Sequence, residues 1–234
     1  GITNTAMFIN SSGNVGIGTT LIPADASLTV HDDIKLNAPT PSKQRIYSLY
    51  AGTNPYSLGS SGGAAVVFDR LPDSSDELAF ETHYAGNSHS EKMRINKEGH
   101  VTMPYQPSFA ATRNQGDVTN AVYVYPNVYH NIGGHYNNSN GRFTAPVTGS
   151  YFISANHMTA NNNTYNNYEY HIRVNGSLFQ IVYSSSGGVL HHRWNWHGVM
   201  YLQAGDYVDV FIPSGFTIYG QSPFYQHFSG YLIG

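Results

Sequence analysis

The second half of the chain consists of short segments in which apolar and polar side chains alternate, separated by turn sequences. This alternation has the two-residue period of a half-buried β-strand. Two connections, Asn175-Gly176 and Gln203-Ala204-Gly205-Asp206, are tight turns of the kind that joins antiparallel neighbours. The spacing predicts a β-sandwich or jelly roll. The predicted strands are 141–145, 149–156, 168–174, 177–183, 189–202, 207–212 and 228–233.

Composition also favours an all-β fold. Charged residues make up 11% of the chain and aromatic residues 14%, with 24 glycines and 11 prolines, which suits strands and turns better than surface helices. The formal net charge is -3 and no run of Lys or Arg occurs, so nucleic acid is not an expected partner. The chain contains no cysteine, so packing or association must stabilise it in place of disulfides.

Membrane insertion is not expected, because no apolar stretch approaches the roughly 20 residues that a membrane helix needs. The first residues, Gly1-Ile2-Thr3-Asn4, have neither the basic end nor the apolar run of a signal peptide. The chain begins within a pattern, described next, and we therefore expect the rest of a longer protein to precede it.

A short segment occurs twice in the first half. Residues 7–15 (Met-Phe-Ile-Asn-Ser-Ser-Gly-Asn-Val) recur as residues 93–101 (Met-Arg-Ile-Asn-Lys-Glu-Gly-His-Val), and Met, Ile, Asn, Gly and Val keep their places. Each copy predicts a hairpin: a short strand, an Asn-x-x-Gly turn and a second strand. One hairpin cannot bury its own apolar face. Two copies this far apart therefore indicate separate hairpins that flank a domain, rather than the repeating units of a solenoid. Further strands are predicted at 27–31, 64–68 and 77–82.

The first copy continues as Val15-Gly16-Ile17-Gly18-Thr19. The whole segment resembles the pattern Met-Arg-Ile-x-x-x-Gly-Asn-Val-Gly-Ile-Gly-Thr of bacteriophage tail fibres, which bacterial surface and prophage proteins carry as well. The resemblance implies that residues 1–103 form a small β shaft domain. Pro104-Tyr105-Gln106-Pro107 marks the domain boundary, because paired prolines restrict the backbone and remove sheet donors. A second domain, 104–234, follows.

The second domain contains a spaced pattern of seven residues, from Tyr125 and Asn131 through Tyr136 and Phe143 to Gly149, Tyr151 and Ile153. This pattern resembles that of the globular head of complement component 1q. That family carries aromatic residues, an Asn or Asp, and a Gly at fixed intervals, and six of seven positions fit here by type, with Ile153 in place of an aromatic residue. The closing Phe228-Ser229-Gly230-Tyr231-Leu232 is similar as well. The resemblance implies a ten-stranded jelly roll that assembles as a homotrimer. The matching residues are Tyr125, Asn131, Tyr136, Phe143, Gly149, Tyr151 and Ile153.

Strand geometry assigns faces to some of these side chains. Gly149, Tyr151 and Ile153 share one face of their strand, which the family resemblance makes the core face. Trp194 and Trp196 also share a face, and we interpret them as core residues rather than as a platform for a sugar, since large aromatic side chains are usually buried.

Two features of the sequence could indicate a catalytic site, but neither is sufficient evidence for one. Gly59-Ser60-Ser61-Gly62-Gly63 matches Gly-x-Ser-x-Gly, but a nucleophile elbow needs a preceding strand and a following helix, and a flexible loop is predicted instead. Asp73, Asp76 and Glu77 are predicted to lie in a solvated turn beside Pro72, which is no evidence for a glycosidase pair. We expect no catalytic residue and no cofactor, and the chain is predicted not to be an enzyme.

The twelve histidines raise the question of a metal site. His191 and His197 share a strand face but lie about 20 Å apart at roughly 3.3 Å per residue, and His192 points the other way, so one chain cannot bring them together. A three-fold axis could gather three copies of one histidine, which leaves a metal on the axis open. Some heads of the family bind calcium, but no Asp/Asn cluster supports Asp206 or Asp117 as ligands, and no metal site is predicted.

These resemblances imply a virion protein, located extracellularly at the tip of a tail fibre, that binds a host cell-surface receptor such as a polysaccharide or lipopolysaccharide. One alternative is a cellular, secreted or surface-attached lectin-like protein with the same head. A polysaccharide depolymerase is the third class, but the long parallel β-helix repeats and acidic cleft of such enzymes are missing from the sequence.

The receptor site is predicted at one end of the jelly roll. Counting antiparallel strands back from the C-terminus puts the long connections 158–167, 184–188 and 213–227 at an apex, and the short turns at a base with both termini. Long loops on a rigid scaffold often carry binding, and flat aromatic faces with short amides suit a neutral sugar. The candidate receptor-binding residues are Tyr165, Asn166, Phe216, Tyr219, Gln221, Phe224 and Tyr225.

Overall fold

A computed structural model describes residues 7–17, 28–30, 42–49, 63–73, 75–83, 90–159, 167–185 and 192–234. These residues form strands and turns and no helix, which confirms the all-β prediction. Accordingly, this part of the chain contains no helix capable of crossing a membrane. The chain divides into two compact units, Gly1–Thr102 and Met103–Gly234, called here the first and second units.

The first unit contains two sheets. A three-stranded sheet has the order β1-β2-β3, and an antiparallel five-stranded sheet runs β4-β5-β6-β7-β8 in chain order. In the larger sheet Ala65, Val67 and Ala79 form a small buried cluster. The strands are β1 (Met7–Ile9), β2 (Val15–Ile17), β3 (Leu28–Val30), β4 (Ser42–Leu49), β5 (Gly63–Arg70), β6 (Asp76–His83), β7 (Ser90–Ile95) and β8 (Val101–Thr102).

Both copies of the repeat are hairpins, as predicted. The Oδ1 atom of Asn10 accepts from two backbone N–H groups of its turn, at 3.0 and 2.9 Å, and Oδ1 of Asn96 does the same at 3.1 and 2.8 Å. Gly13 and Gly99 have φ of 81° and 84°, a left-handed conformation that glycine adopts without strain. The Asn-x-x-Gly sequence is therefore a local turn signal that gives the same geometry in both places.

Two predictions for the first unit need correction. Strand β4 was not predicted, although it pairs with β5 along its whole length, because Ser42–Leu49 has little apolar alternation. Asp76 and Glu77 begin strand β6, which confirms the strand predicted at 77–82 and contradicts the turn interpretation of these two residues. Asp73 does lie in an exposed turn, where hydrogen bonds from Lys97 and Ser75 hold the pKa of its carboxyl well below the usual range.

Glu77 belongs to an ion-pair cluster, so the solvated-turn interpretation was wrong for it. The guanidinium of Arg94, on β7, contacts the carboxylates of Glu77, Glu91 and Asp69. Hydrogen bonding to Glu91 is the main cause of an Arg94 pKa raised above its already high value. One cation thus holds together three carboxylates, and the cluster is a structural feature of the sheet.

The second unit is a sandwich of two sheets. One has the order β11-β9-β19-β14-β17, and the other runs β12-β13-β18-β15-β16, with β10 also paired to β18. Among the residues described there are eleven strands rather than the ten that the resemblance implies, the two-residue β10 included. They are β9 (Ser108–Thr112), β10 (Ala121–Val122), β11 (Asn127–Ile132), β12 (Tyr136–Asn137), β13 (Arg142–Thr144), β14 (Gly149–Met158), β15 (Asn167–Val174), β16 (Ser177–Ser185), β17 (Arg193–Leu202), β18 (Tyr207–Ile212) and β19 (His227–Leu232).

The core of the sandwich is aromatic. The ring of Phe109 lies 5.0 Å from that of Tyr136, 4.8 Å from Phe143 and 4.9 Å from Phe228, centre to centre. Such clusters bury large apolar area in preferred ring geometries. Trp194 is part of the same core, and Trp196 packs against it half-buried, which confirms the interpretation of both as core residues.

The residues of the family pattern meet in and beside this core. Burial alternates along β14, so that Gly149, Tyr151 and Ile153 face inward as predicted. Asn131 is only half-buried, but its side-chain amide donates to the carbonyl of Tyr136 at 2.8 Å and its Oδ1 accepts from the N–H of Tyr136 at 3.0 Å. Through these two hydrogen bonds the side chain of Asn131 stabilises the connection between β11 and β12. This role explains why the family pattern has an amide side chain at this position among its aromatic residues.

Candidate functional site

The two ends of the sandwich differ in the length of their connections. At one end the β15–β16 turn meets the β17–β18 turn, where Nδ2 of Asn175 donates to Oδ1 of Asp206 at 2.7 Å. That hydrogen bond is the main reason why the pKa of Asp206 is lowered. The C-terminus lies at the same end, since the N–H of Ser150 donates to the carbonyl of Gly234 at 2.7 Å. This end, called the base, carries the short turns.

The opposite end, the apex, gathers long connections. Ile218 forms bridges to both Val118 and Thr159, and the N–H of Tyr219 donates to the carbonyl of Met158 at 3.0 Å. The N–H of Thr159 in turn donates to the carbonyl of His192 at 2.9 Å. Segments far apart in the chain therefore converge at the apex, as the strand count predicted.

The connection between β18 and β19, residues 213–226, is fixed to the scaffold at several points. The hydroxyl of Tyr123 donates to the carbonyl of Tyr219 at 2.5 Å, and the N–H of Gly220 donates to Oδ1 of Asp117 at 3.0 Å. A Cβ atom on Gly220 would lie 2.2 Å from the carbonyl oxygen of Gly116, so only glycine allows this approach. The apical connection is thus held in a defined position.

The predicted receptor-binding residues fall into three groups. Phe224 is 81% exposed, and Tyr225 and Gln221 are exposed as well. Tyr219 and Phe216 are half-buried; Phe216 packs against the core, and the ring of Tyr219 lies 6.1 Å from that of Tyr225. Tyr165 and Asn166, with the neighbouring asparagines 161–163, lie outside the described residues.

A cavity of about 200 Å³ lies where β14 ends and β17 begins at the apex. It is lined by Asn156, His157, Arg193, Trp194 and Asn195. Sequence reasoning missed this cavity. One signal was available: His157 occupies an inward position of β14, after the apolar inward series that ends at Ala155.

His157 is 1% exposed and its Nε2 lies 2.6 Å from the hydroxyl of Tyr125. Burial lowers the pKa of His157 to about 3 and raises that of Tyr125, so both side chains are neutral near pH 7. Three atoms of the lining are buried without a hydrogen-bond partner in the described part of the chain: Oδ1 of Asn156, Nδ1 of His157 and Nε1 of Trp194.

The metal candidates do not come together. His192 is half-buried and His197 is exposed, while His191 lies outside the described residues. Asp206 is at the base, whereas Asp117 is at the apex and accepts from Gly220. Within the described ranges there is no group of three or more His, Asp or Glu side chains that could hold a metal ion.

The serine of the Gly-x-Ser-x-Gly match also lies outside the described residues, but its surroundings are partly visible. Strand β5 begins at Gly63, the last residue of the match. A nucleophile elbow requires a helix at that place, so the match does not have the expected context.

A buried ion pair lies on the outer face of the other sheet. Nε and Nη2 of Arg173 donate to the two carboxylate oxygens of Asp209 at 2.7 and 3.0 Å, and Asp209 is fully buried. The guanidinium of Arg173 stacks on the ring of Phe211, and that of Arg142 stacks on Tyr207, at 4.2 and 4.1 Å from the ring centres. The pair joins β15 to β18 across the sheet.

Comparison with known proteins identifies one family. The model of the C1q domain matches residues 108–233. A comparison with curated proteins finds no match. Solved structures with a similar fold include the globular domain of zebrafish complement 1qA, with 18% identity and a TM-score of 0.41 over 55% of this chain and 98% of that one.

Two further similar structures cover 55% of this chain. Murine APRIL has 13% identity, a TM-score of 0.45 and 99% of its own chain covered. The TNF protein Eiger from S. frugiperda has 11% identity, a TM-score of 0.44 and 93% of its chain covered.

Proposed function

This chain belongs to the C1q domain family, and we propose that it is the trimeric, receptor-binding end of a bacteriophage tail fibre, which attaches the virion to a glycan on the host cell. The second unit is the binding head and the first unit is part of the shaft. The observation that carries the proposal is the apex, where exposed aromatic and amide side chains lie on a connection that the scaffold holds in place.

Two exposed apolar surfaces support assembly of several chains. One is on the edge strand β16, where Leu178, Phe179, Ile181 and Tyr183 are all exposed. The other is on the outer face of the β11-β9-β19-β14-β17 sheet, where Tyr201, Val199 and Tyr231 are exposed and Tyr201 reaches 72%. Monomers rarely leave such surfaces open to water.

The two surfaces lie on different parts of the molecule. If the β16 edge of one copy contacts the sheet face of the next, the contact joins two different surfaces and is heterologous. Heterologous contacts form a closed ring when the rotation that relates one subunit to the next divides a full turn evenly. The same head is trimeric in the family that the sequence resembles, and a ring of three copies would bury both surfaces in every subunit. The apices would then lie side by side and present three equivalent binding sites.

The first unit favours a fibre over a cellular lectin-like protein. Its two hairpins carry the segment that resembles phage tail fibres, and both have the same Asn-centred turn. Repeated hairpins of this kind suit a shaft, in which short strands depend on neighbouring chains to cover their apolar side chains. Met7, Ile9 and Ile17 of the first hairpin are exposed in the single chain.

The apex supports glycan recognition. Phe224 and Tyr225 offer flat apolar faces on which a sugar ring can stack, and Gln221 offers both a donor and an acceptor for hydroxyl groups. Gly220 and Gln221 are hydrogen-bonded to Asp117, so this connection should lose little conformational entropy when a glycan binds.

The test is binding of the purified, fluorescently labelled protein to candidate bacteria. We expect saturable binding to intact cells of the host, and loss of binding after enzymatic removal of surface polysaccharide. Phe224→Ala combined with Tyr225→Ala should reduce cell binding at least tenfold with an unchanged melting temperature, while Gln203→Ala at the base should have no effect. Undiminished binding by the apical variant would contradict the apical site. Binding to animal-cell glycans and to no bacterium would favour the lectin-like alternative.

A further inference from the structure

Two arginines converge on one buried carboxylate on the outer face of the sheet that contains β13, β18 and β15. Arg173 on β15 donates through Nε and Nη2 to Asp209 on β18, and Nε of Arg142 on β13 lies 3.5 Å from Oδ2 of Asp209. Both guanidinium groups therefore contact the same carboxylate, which is fully buried. Two positive charges meet one negative charge, so one positive charge is left without a counterion in this cluster.

The other carboxylates of the second unit are not placed to balance that charge. They are Asp117, Glu169 and Asp206. Asp117 is hydrogen-bonded at the apex and Asp206 at the base. Glu169 lies four residues from Arg173 along β15, which is about 13 Å at roughly 3.3 Å per residue, and it is already paired with His171. The excess positive charge therefore remains available to a ligand.

The free N–H groups of the two arginines reach solvent. Among the residues that the structure describes, Nη1 and Nη2 of Arg142 and Nη1 of Arg173 have no hydrogen-bond partner. In this part of the chain, Nε of Arg142 is the only nitrogen of the two side chains that is both buried and unbonded, so the free Nη groups are not enclosed. The side chain of Arg142 is 38% exposed. A ligand at the surface can thus reach N–H donors of both side chains.

Aromatic rings help to hold the guanidinium groups in place. Arg142 stacks on Tyr207 and Arg173 stacks on Phe211, at 4.1 and 4.2 Å from the ring centres. Because these rings and Asp209 restrain the two side chains, they should lose little conformational entropy when a ligand binds. Guanidinium groups with free N–H groups bind carboxylates and phosphates through short, charge-assisted hydrogen bonds. The chemistry of the cluster therefore matches an oxyanion.

The neighbours of Arg142 favour an oxyanion that belongs to a sugar. Asn137 is paired with Arg142 between β12 and β13, and Thr144 lies two residues further along β13, so all three side chains share one face. Asn137 and Thr144 are both exposed. An amide and a hydroxyl group can each donate to and accept from the hydroxyl groups of a sugar ring.

This face stays open in the assembly proposed above. The contacts between copies use the edge strand β16 and the outer face of the other sheet, whereas the arginine cluster lies on β13, β18 and β15. Arg142, Arg173 and Asp209 are called here the flank. The flank is also separate from the apical aromatic residues, because Asp209 lies within β18 and the apical connection begins only after Ile212.

We propose that the flank binds an acidic sugar, whose oxyanion is bonded to the free Nη groups of Arg142 and Arg173. A uronic acid carboxylate and a phosphate substituent present the same acceptor oxygens, so both belong to this class. The inference rests on the proposed function in taking the sugar to be part of a host-surface glycan. It goes further by assigning a second, anion-selective site on a different face of the head.

Titration with matched monosaccharides tests the site without virion or host. Glucuronate and glucose 6-phosphate carry the two kinds of oxyanion, and glucuronamide and glucose are their neutral counterparts. Acetate and inorganic phosphate are the same anions without a sugar. Each compound is titrated to about 50 mM, because a ligand of so few atoms binds weakly, and saturation-transfer NMR gives the Kd.

We expect glucuronate, glucose 6-phosphate or both to bind at least about tenfold more tightly than the neutral counterpart, the effect of one hydrogen bond between charged groups. Which of the two binds identifies the oxyanion as carboxylate or phosphate. Raising the NaCl concentration from about 50 to about 500 mM should weaken binding of the charged sugar, because salt screens exposed charges.

Variants of Arg142 locate the binding site. Arg142→Gln should raise the Kd of the charged sugar at least about tenfold with little change in melting temperature. Arg142→Lys keeps the charge but loses the paired N–H groups, so its Kd should be intermediate, and it serves as the test if Arg142→Gln does not fold. Lys97→Gln is the control, since it removes one cation from an exposed turn of the first unit and should bind like the wild type.

Three outcomes would overturn the proposal. They are equal affinity for charged and neutral sugars, binding of acetate or phosphate as tight as that of the charged sugar, which would mean an adventitious ion only, and wild-type affinity in the Arg142 variants. Cell binding of the same preparation separates this inference from the proposed function. Attachment to bacteria without binding of an acidic sugar would refute the flank site alone. Binding of an acidic sugar without attachment to any bacterium would refute the receptor function alone.

Discussion

The hydroxyl of Tyr125 lies 2.6 Å from Nε2 of His157, and both side chains are sealed inside the jelly roll. The ring of His157 also lies 4.4 Å from that of Tyr170 and 4.9 Å from that of Tyr123. A histidine in this setting is bonded at one nitrogen and enclosed by aromatic rings, so protonation would place a charge in the core.

Stability should therefore fall in mild acid. Burial lowers the pKa of His157 from 6.5 to about 3, so below pH 6.5 the unfolded chain takes up a proton that the folded chain refuses. The contribution is fully present above pH 6.5 and is lost as the pH falls towards 3. Between pH 7.5 and 5.0 the free energy of unfolding should drop by about 2 kcal/mol, measured by urea denaturation.

The variant His157→Gln should remove most of that pH dependence. His227 adds a smaller effect of the same sign, because burial lowers its pKa as well. His197→Gln is the control, since His197 is exposed, and it should retain the wild-type dependence. An unchanged pH profile in His157→Gln would show that another group is responsible.

The Arg173–Asp209 pair should be essential for stability. Asp209→Ala leaves the half-buried guanidinium of Arg173 without its carboxylate and should lower the free energy of unfolding by about 1–3 kcal/mol. Asp73→Ala breaks the exposed pair with Lys97 in the first unit and should cause a much smaller loss of stability, because solvent screens that pair. Thermal denaturation of both variants measures the difference, and similar small losses would mean that Asp209 is less enclosed than the structure indicates.

Gly230 should not tolerate a side chain. A Cβ atom there would lie 2.6 Å from Cδ1 of Ile153 and 2.8 Å from the carbonyl oxygen of Phe152. Gly230→Ala should destabilise the second unit by about 1–3 kcal/mol through overpacking, whereas Gly116→Ala, with open space around its Cβ, should be nearly neutral.

The same contact predicts coupling between two substitutions. Ile153→Val removes Cδ1, so the Gly230→Ala/Ile153→Val double variant should be more stable than the sum of the two single effects implies. Chemical denaturation of the four proteins gives the coupling free energy. Strict additivity would contradict a steric clash between the new methyl group and Ile153.

Association should depend on both apolar surfaces. Light scattering at micromolar concentration should give about three times 25.7 kDa for the wild type. Tyr201→Glu on the sheet face and Phe179→Glu on the β16 edge should each reduce the mass towards that of one chain, because each buries a charge without a partner. Gln203→Glu at the base is the control, and a monomeric wild type would refute the assembly.

Local chemistry explains which features could be predicted. The Asn-x-x-Gly turns depend on residues within one hairpin, where Oδ1 of Asn10 or Asn96 satisfies nearby N–H groups. The alternation in β14 needs only the two-residue period of a strand. Strand β4 could not be predicted in the same way, because its polar residues are held by pairing with β5 across an intervening stretch of chain.

The sequence by itself determined the strand periodicity, the turn positions, the resemblance of residues 104–234 to the complement 1q head, and the division between long and short connections. The first two depend on neighbours in the chain, and the last two on the spacing of residues along it. Only the tertiary structure decided that His157 meets Tyr125, that Arg173 encloses Asp209, and that Asn156 and Trp194 line one cavity. These contacts join residues 32 to 38 positions apart in the sequence. A pattern of alternation states which face a side chain occupies, but strand order and register determine which side chain lies opposite.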